Sequence, residues 1–259
     1  MTTEVRLVRA PNPSMFTLDG TNTWIIGREP SLVIDPGPDD LEQHVERVAA
    51  EASPVAAILV THHHPDHAPG ASLLAELTGA PVKAFQPWEG EQAIADGEEV
   101  AGGGAMLRAL HAPGHTSDHL VFFDPEDGGL FTGDAVLGWG TSVVDPPDGD
   151  LVAYLASLGA MLRLGARTIY PGHGPVVDDA EAKLREYLDH RADRERQVLE
   201  GLSNGPKTPE ELVPLIYQDY PAELHPAAAR SVLAHLLKLV QEGRATRPAP
   251  DEDRFALTT

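Results

Sequence analysis

Thr61-His62-His63-His64-Pro65-Asp66-His67 follows directly on the apolar run Ala56-Ala57-Ile58-Leu59-Val60, and this pair of stretches decides how the chain reads. An apolar run this short, closed by polar residues, reads as a buried strand. The loop it delivers carries four histidines and an aspartate. Such a density of imidazole is a poor way to build a core and a good way to build a metal site. Neutral imidazole and carboxylate suit zinc and its neighbours. On an extended segment residues two apart share a face, so His62 and His64 can bind one ion while Asp66 and His67 turn towards a second.

Outward from this loop, short strands and helices alternate. Thr23–Ile26 and Leu32–Ile34 read as strands closed by Gly27 and by the turn Asp35-Pro36-Gly37-Pro38. A helix is expected from Leu41 to Ala52, with Asp39 or Asp40 as its cap. Ala71–Thr78 reads as a helix and Val82–Phe85 as the next strand. Ala105–Ala109, Leu120–Phe123, Leu130-Phe131 and Thr168–Tyr170 read as further strands, with a helix at Leu151–Leu164. This order indicates an α/β domain.

The pattern changes near residue 181. Glu181–Leu202 reads as a charged helix, and Thr208-Pro209-Glu210-Glu211 opens another with a cap-like sequence. Ala227–Glu242 is a third helix, with Leu233, Leu236, Leu237 and Val240 expected on one face. A tail hairpin from Gly243 would complete a winged-helix-like module. The expected division is a catalytic domain over residues 1–180 and a C-terminal helical domain over residues 181–259.

Composition sets the outer bounds. The 259 residues contain no cysteine, which excludes disulfides, thiolate ligands and a cysteine nucleophile. No long apolar stretch argues for a signal peptide or membrane anchor, so a cytoplasmic protein with no membrane partner is expected. The formal net charge is −21, and residues 1–180 hold 26 of the 40 acidic side chains against 8 Lys and Arg. An acidic surface of this kind repels a long polyanion unless bound metal or a local positive patch overrides it.

Two metal ions need more ligands than one loop supplies, and three further residues follow strands beside glycines. These are His115 in Pro113-Gly114-His115-Thr116, Asp134 in Phe131-Thr132-Gly133-Asp134, and His173 in Tyr170-Pro171-Gly172-His173-Gly174. The order of these motifs resembles that of the metallo-β-lactamase-fold hydrolases over about residues 5–180. The resemblance implies a four-layer αββα sandwich with its site at one edge of the sheets. It also implies that His62, His64 and His115 hold one ion, that Asp66, His67 and His173 hold the other, and that Asp134 bridges them. His63 and Pro65 fall at variable positions of the loop, and His63 is expected to point away from metal.

The resemblance narrows outside the ligands. Leu18-Asp19-Gly20-Thr21-Asn22-Thr23, Gly114-His115-Thr116-Ser117-Asp118-His119, Gly138-Trp139-Gly140-Thr141-Ser142 and Ile169–Pro175 look like the β-lactamase-like protein 2 group. The helix with His190-Arg191 and the three-helix tail are similar to that group's C-terminal part. The group includes a metal-dependent endoribonuclease acting on single-stranded RNA, and its C-terminal part is winged-helix-like.

Two divalent ions about 3.5–4 Å apart can share a water and lower its pKa towards neutrality, so a metal-bound hydroxide is the expected nucleophile. Zinc is the expected metal, with Mn2+ or Fe2+ as alternatives. Asp66 is the expected catalytic residue, orienting that water and taking its proton. Ser117 and Ser142 are loop or supporting groups. His119 is expected to support a ligand, with proton donation as the alternative, and Asp35 to support a ligand or shape a turn. Asn22 either faces substrate or shapes a turn, Thr141 lies in a loop where substrate choice would be made, and His190 and Arg191 either reach the pocket from the added helix or lie on its solvated face.

Three functions follow. The first is cleavage of a single-stranded RNA phosphodiester, for which an occupied centre keeping a formal charge of about +1 would engage one phosphate. The acidic catalytic part, and a helix Ala227–Glu242 offering only Arg230 and Lys238, stand against it. The second is hydrolysis of a small ester, thioester or lactone at the same centre. The third, a regulatory nucleic-acid-binding protein, leaves a complete ligand set without a purpose.

Overall fold

Alternation of side chains along central strands generates the layers of the molecule. A computed structural model describes residues 3–88, 90–218, 221–247 and 253–258. β1 (Val5–Arg9), β2 (Asn22–Ile26), β3 (Ser31–Ile34), β4 (Val55–Leu59), β5 (Val82–Ala84) and β6 (Gln92–Ala93) form one sheet in that order. Its pairs are antiparallel up to β3 and parallel from there. β7 (Glu99–Gly102), β8 (Ala105–His111), β9 (Leu120–Asp124), β10 (Gly129–Gly133) and β11 (Thr168–Pro171) form a second, ordered β11-β10-β9-β8-β7. Only β10 and β11 run parallel there.

Leu32, Ile34 and Leu59 point inward and meet Leu107, Leu120, Phe122 and Phe131 of the second sheet. Their neighbours Val33 and Ile58 point outward to Val45 and Val48 of α1 (Glu42–Ala52) and Leu74 of α2 (Gly70–Thr78). On the far side Val121, Leu130 and Ile169 meet Tyr154 and Leu158 of α3 (Leu151–Arg163) and Leu184 of α4 (Ala180–Leu202). Side chains of period two therefore feed two cores from each strand, and the result is the αββα sandwich.

α4 also carries the chain into a second core. Its first half packs in the sandwich, whereas Val198 and Leu202 pack with α5 (Pro209–Ile216) and α6 (His225–Gln241). A capping box between Thr208 and Glu211 starts α5, and β12 (Ala245–Thr246) pairs with β13 (Ala256–Leu257). These elements make the C-terminal winged-helix domain.

Two local expectations need correction. α1 begins at Glu42 with Leu41 at its N-cap and no side-chain cap, so neither Asp39 nor Asp40 serves. The Leu41 carbonyl accepts from the His44 and Val45 amides, and Glu42 faces the positive end of the helix dipole. On α6 the buried stripe is Val232, His235, Leu236 and Leu239, while Leu237 is 38% exposed. α5, α4 and α3 all contact α6, so small residues such as Ala228 and Ala234 take part in a wider buried arc than the leucine spacing indicated. Among the described residues no helix is long and apolar enough to cross a membrane.

Candidate metal centre

The histidine loop leaves β4 at the carboxyl end of the sheet, and the chain tightens there through a strained aspartate. Asp35 follows β3 with φ 51°, a left-handed conformation that aspartate tolerates better than most residues. Its Oδ1 accepts from the Thr61 amide (2.8 Å) and its Oδ2 from the Thr61 hydroxyl (2.7 Å). Oδ2 also accepts from His67 Nδ1 (2.9 Å). One buried carboxylate thus fixes both ends of the loop.

Protons on the ring nitrogens follow from these partners. The Thr61 hydroxyl gives its hydrogen to Asp35, so it accepts from His62 Nδ1 (2.9 Å). That leaves His62 Nε2 with a lone pair, buried and without a partner. His115 Nδ1 donates to the Val143 carbonyl (2.7 Å) and His173 Nδ1 to the Gly20 carbonyl (3.3 Å). In His62, His67, His115 and His173, then, the outer nitrogen is tied to an acceptor and Nε2 faces the interior of the cluster. A ring oriented in this way has the supporting hydrogen bond that a metal-binding imidazole needs.

These inward nitrogens converge. His115 Nε2 lies 3.2 Å from His64 Nδ1, and His67 Nε2 lies 3.2 Å from His173 Nε2. Ligands about 2.0–2.1 Å from a tetrahedral zinc stand about 3.3 Å apart, so the spacing fits a cation between them. His62, His64, His115 and Asp134 form one group, and Asp66, His67 and His173 a second, with ligand atoms of each group within 4.8 Å of one another. Asp134 faces both: Oδ1 is 3.3 Å from His173 Nε2, and Oδ2 is 3.7 Å from His115 Nε2. Asp66 Oδ2 is 3.1 Å from His173 Nε2.

Close approach of backbone requires glycine at two points. A Cβ on Gly172 would lie 2.7 Å from both Asp134 Oδ1 and His67 Cε1, and Gly133 (φ 46°) would place one 2.6 Å from Thr61 Oγ1. Any side chain there would push ligands apart.

Burial and charge act in opposite directions within the cluster. Burial, reinforced by the neighbouring His67, His119 and His115, holds His62 well below the usual imidazole range. Burial and His115 lower His64 to about 4. For His67 burial also favours the neutral ring, yet Asp134, Asp66 and Asp35 overcome it and raise it well above the ordinary value. His173, similarly opposed by burial, is raised to about 9 by Asp134 and Asp66. Asp134 is kept well below the carboxylate range because His173 and His67 outweigh its burial.

The remaining expected residues fall into two sets. His119 is buried, stacks on His62 with ring centroids 4.8 Å apart, and accepts from the Asp134 amide at Nε2 (3.2 Å). Asn22 lines no cleft; it donates to the Pro171 and Gly174 carbonyls at 3.0 and 2.8 Å and so holds the turn bearing His173. Arg191 is buried and reaches the loop after β10 rather than solvent or the cleft. His63 points aside, donating to Asp118 at 3.0 Å. Thr141 and His190 line a cleft of about 930 Å³ that opens onto His64, Asp66, His115, Asp134 and His173.

Much of that cleft was not foreseen. Met15, Phe16 and Leu18 form one wall, Trp139 another, and Leu224 and Ala227 from the C-terminal domain a third. Phe16 and Trp139 are each 58% exposed. An apolar pair in the non-periodic, turn-rich segment before β2 was the available signal for Met15 and Phe16. Thr61, which couples Asp35 to His62, was also missed, because a threonine at a strand end carries no signal of its own.

Comparison with known proteins gives the family and the fold. The model of the metallo-beta-lactamase superfamily matches residues 16–93 and 83–173, and that of the beta-lactamase associated winged helix domain matches residues 208–253. A beta-lactamase-like protein 2 homolog of Drosophila melanogaster is 33% identical over 97% of this chain and 94% of its own. An atrochrysone carboxyl ACP thioesterase of Aspergillus chevalieri is 38% identical over 92% of this chain and 80% of its own. Among solved structures, a metallo-beta-lactamase family protein from Thermus thermophilus superposes with TM-score 0.83 at 25% identity, covering 98% of each chain. Another, determined in a di-iron-bound form, has TM-score 0.55 at 25% identity over 65% of this chain and 93% of its own. The chain belongs to the metallo-beta-lactamase superfamily of hydrolases and carries the winged helix domain associated with it.

Proposed function

We propose that the protein is a dinuclear metallohydrolase of a small ester or thioester with an apolar acyl group. Two divalent cations, zinc by the donor set with iron or manganese as alternatives, would supply Lewis acidity and acidify water. His62, His64 and His115 are the residues we assign to one cation and Asp66, His67 and His173 to the other, with Asp134 shared. Asp66, whose carboxylate borders the cleft, is assigned the proton taken from the attacking water.

The observation that carries the substrate class is the lining of the cleft. Among the described residues its one Lys or Arg, Arg230, is already paired with Asp145, and Asp148 and Glu186 add negative charge. A nucleic-acid chain draws on available Lys or Arg for the phosphates beyond the one at the centre, whereas Phe16, Trp139 and Leu224 offer apolar area for an acyl chain. Single-stranded RNA is the second reading, favoured by the winged helix domain and by the resemblance to the endoribonuclease group. Against it, several of the domain's cations are occupied by carboxylates: Lys238 and Arg244 by Glu195 and Glu242, and Arg254 by Glu211.

A side-by-side assay of the metal-loaded protein tests the choice. Acyl thioesters and esters of increasing chain length are expected to be hydrolysed with kcat/KM rising with length, while single-stranded RNA stays intact. RNA cleavage with no turnover of any thioester or ester would overturn the proposal in favour of the phosphodiesterase.

A further inference from the structure

Arg191 sits in α4, 3% exposed, and no carboxylate lies within ion-pairing distance of it among the described residues. Taking a guanidinium out of water without a counter-ion carries a large desolvation cost. Its contacts include the π face and hydroxyl side of Tyr154 and a carbonyl: the guanidinium carbon is 5.2 Å from the Tyr154 ring centroid, and Nη2 donates to the Ser142 carbonyl at 2.5 Å.

Ser142 is the joint between two metal-centre residues. Its hydroxyl donates to the Asp134 carbonyl (2.5 Å) and lies 3.2 Å from His115 Nδ1. The next residue, Val143, supplies the carbonyl that accepts from that same Nδ1 at 2.7 Å. Tyr154, beneath Arg191, donates its hydroxyl to the Ala135 carbonyl at 2.6 Å, bracing the residue after Asp134. Arg191 touches no ligand, yet every one of these bonds ends on His115, on Asp134 or on its neighbour.

We propose that Arg191 is a positioning residue of the metal centre: by holding the Ser142 carbonyl it fixes the ring of His115 and the backbone of Asp134. The helix that leads into the winged helix domain thereby sets cation affinity. The inference rests on the two-cation reading above. Its sign separates it from simple electrostatics. A buried positive charge repels a nearby cation, so a purely Coulombic Arg191 would weaken cation binding and its removal would strengthen it. A positioning Arg191 gives the opposite result.

The test is Zn2+ titration of the full-length, chelator-stripped protein against a chromophoric chelator, together with the visible spectrum of the Co2+-loaded form. Arg191→Met is expected to fold by circular dichroism, to bind its cations about 10–100-fold more weakly and to alter the Co2+ absorption. Arg191→Lys, which keeps a donor for Ser142, should restore part of both. Ser142→Ala, which removes the hydroxyl but keeps the carbonyl that Arg191 holds, should shift both in the same direction by less, and the double variant should come to the level of Arg191→Met alone. Arg191→Met binding as tightly as wild type, or more tightly, overturns the inference. If that variant does not fold, Arg191→Lys is read in its place, and an affinity and spectrum equal to wild type there overturn the inference. Wild-type protein that takes up no cation overturns the two-cation reading and the inference with it, whereas equal, tight uptake by wild type and variant overturns the inference alone.

Discussion

His62, His64 and His115 occupy a half of the cluster where burial strips imidazole of its proton, while His67 and His173 occupy a half where carboxylates return it. The residue type is the same and the halves share Asp134. What differs is acidic company: Asp66, Asp134 and Asp35 surround His67, whereas Asp134 is the carboxylate that meets the three-histidine side. One half is a neutral nitrogen cage prepared for a cation. The other holds protons that a cation must displace, and it carries the carboxylate that borders the cleft. A two-ion site built this way has one anchoring half and one working half.

The largest expected effect breaks the working half. Asp66→Ala should lower kcat by about 10²–10⁴, the range for loss of a positioned proton acceptor. The domain should stay folded, since Asp66 borders the cleft and not the core. Retained turnover would remove Asp66 from its role.

Acidity sharpens the same contrast. His173, raised to about 9, and His67, raised well above its ordinary value, hold their protons at neutral pH in the metal-free protein. A cation entering the Asp66, His67 and His173 group must release both, so its affinity should fall by up to about 100-fold for each unit that the pH drops below neutrality. His62 and His64 lie below their ordinary values, so the three-histidine half should change little over that window. Calorimetric titration with Zn2+ in buffers of different ionisation enthalpy counts the protons; equal release on both binding steps would erase the distinction.

A smaller effect comes from beneath the working half. Asp35→Asn keeps the size of the side chain but weakens the hold on His67 Nδ1, and should cost about 10–100-fold in affinity for the second cation. Equilibrium dialysis against Zn2+ measures it. Loss confined to the first cation would show that Asp35 acts through Thr61 and His62 instead.

Periodicity and spacing carried much of the architecture. The run before the histidine loop is β4 and is buried between two layers, and the ligand motifs do come together at one edge of the sheets. Elements with weak amphipathic signal were less legible. β1 is a half-buried edge strand, β6 has two exposed residues, and β7 alternates around a single buried valine. On α6 the leucine spacing rightly placed Leu236, Leu233 and Val240 at the C-terminal core but misplaced Leu237, because packing on more than one side widens the stripe that a single partner would define.

Residue chemistry in a fixed order determined the candidate ligand set and the family, since neither imidazole nor carboxylate needs distant context to be recognised as a potential metal donor. Tertiary structure decided the rest. Asn22 serves the His173 turn from 149 residues away, and Arg191 reaches Ser142 across 49. The apolar walls of the cleft come from three separated segments of chain. Affinity, protonation and substrate fit depend on which groups become neighbours after folding, and no local stretch of sequence contains that information.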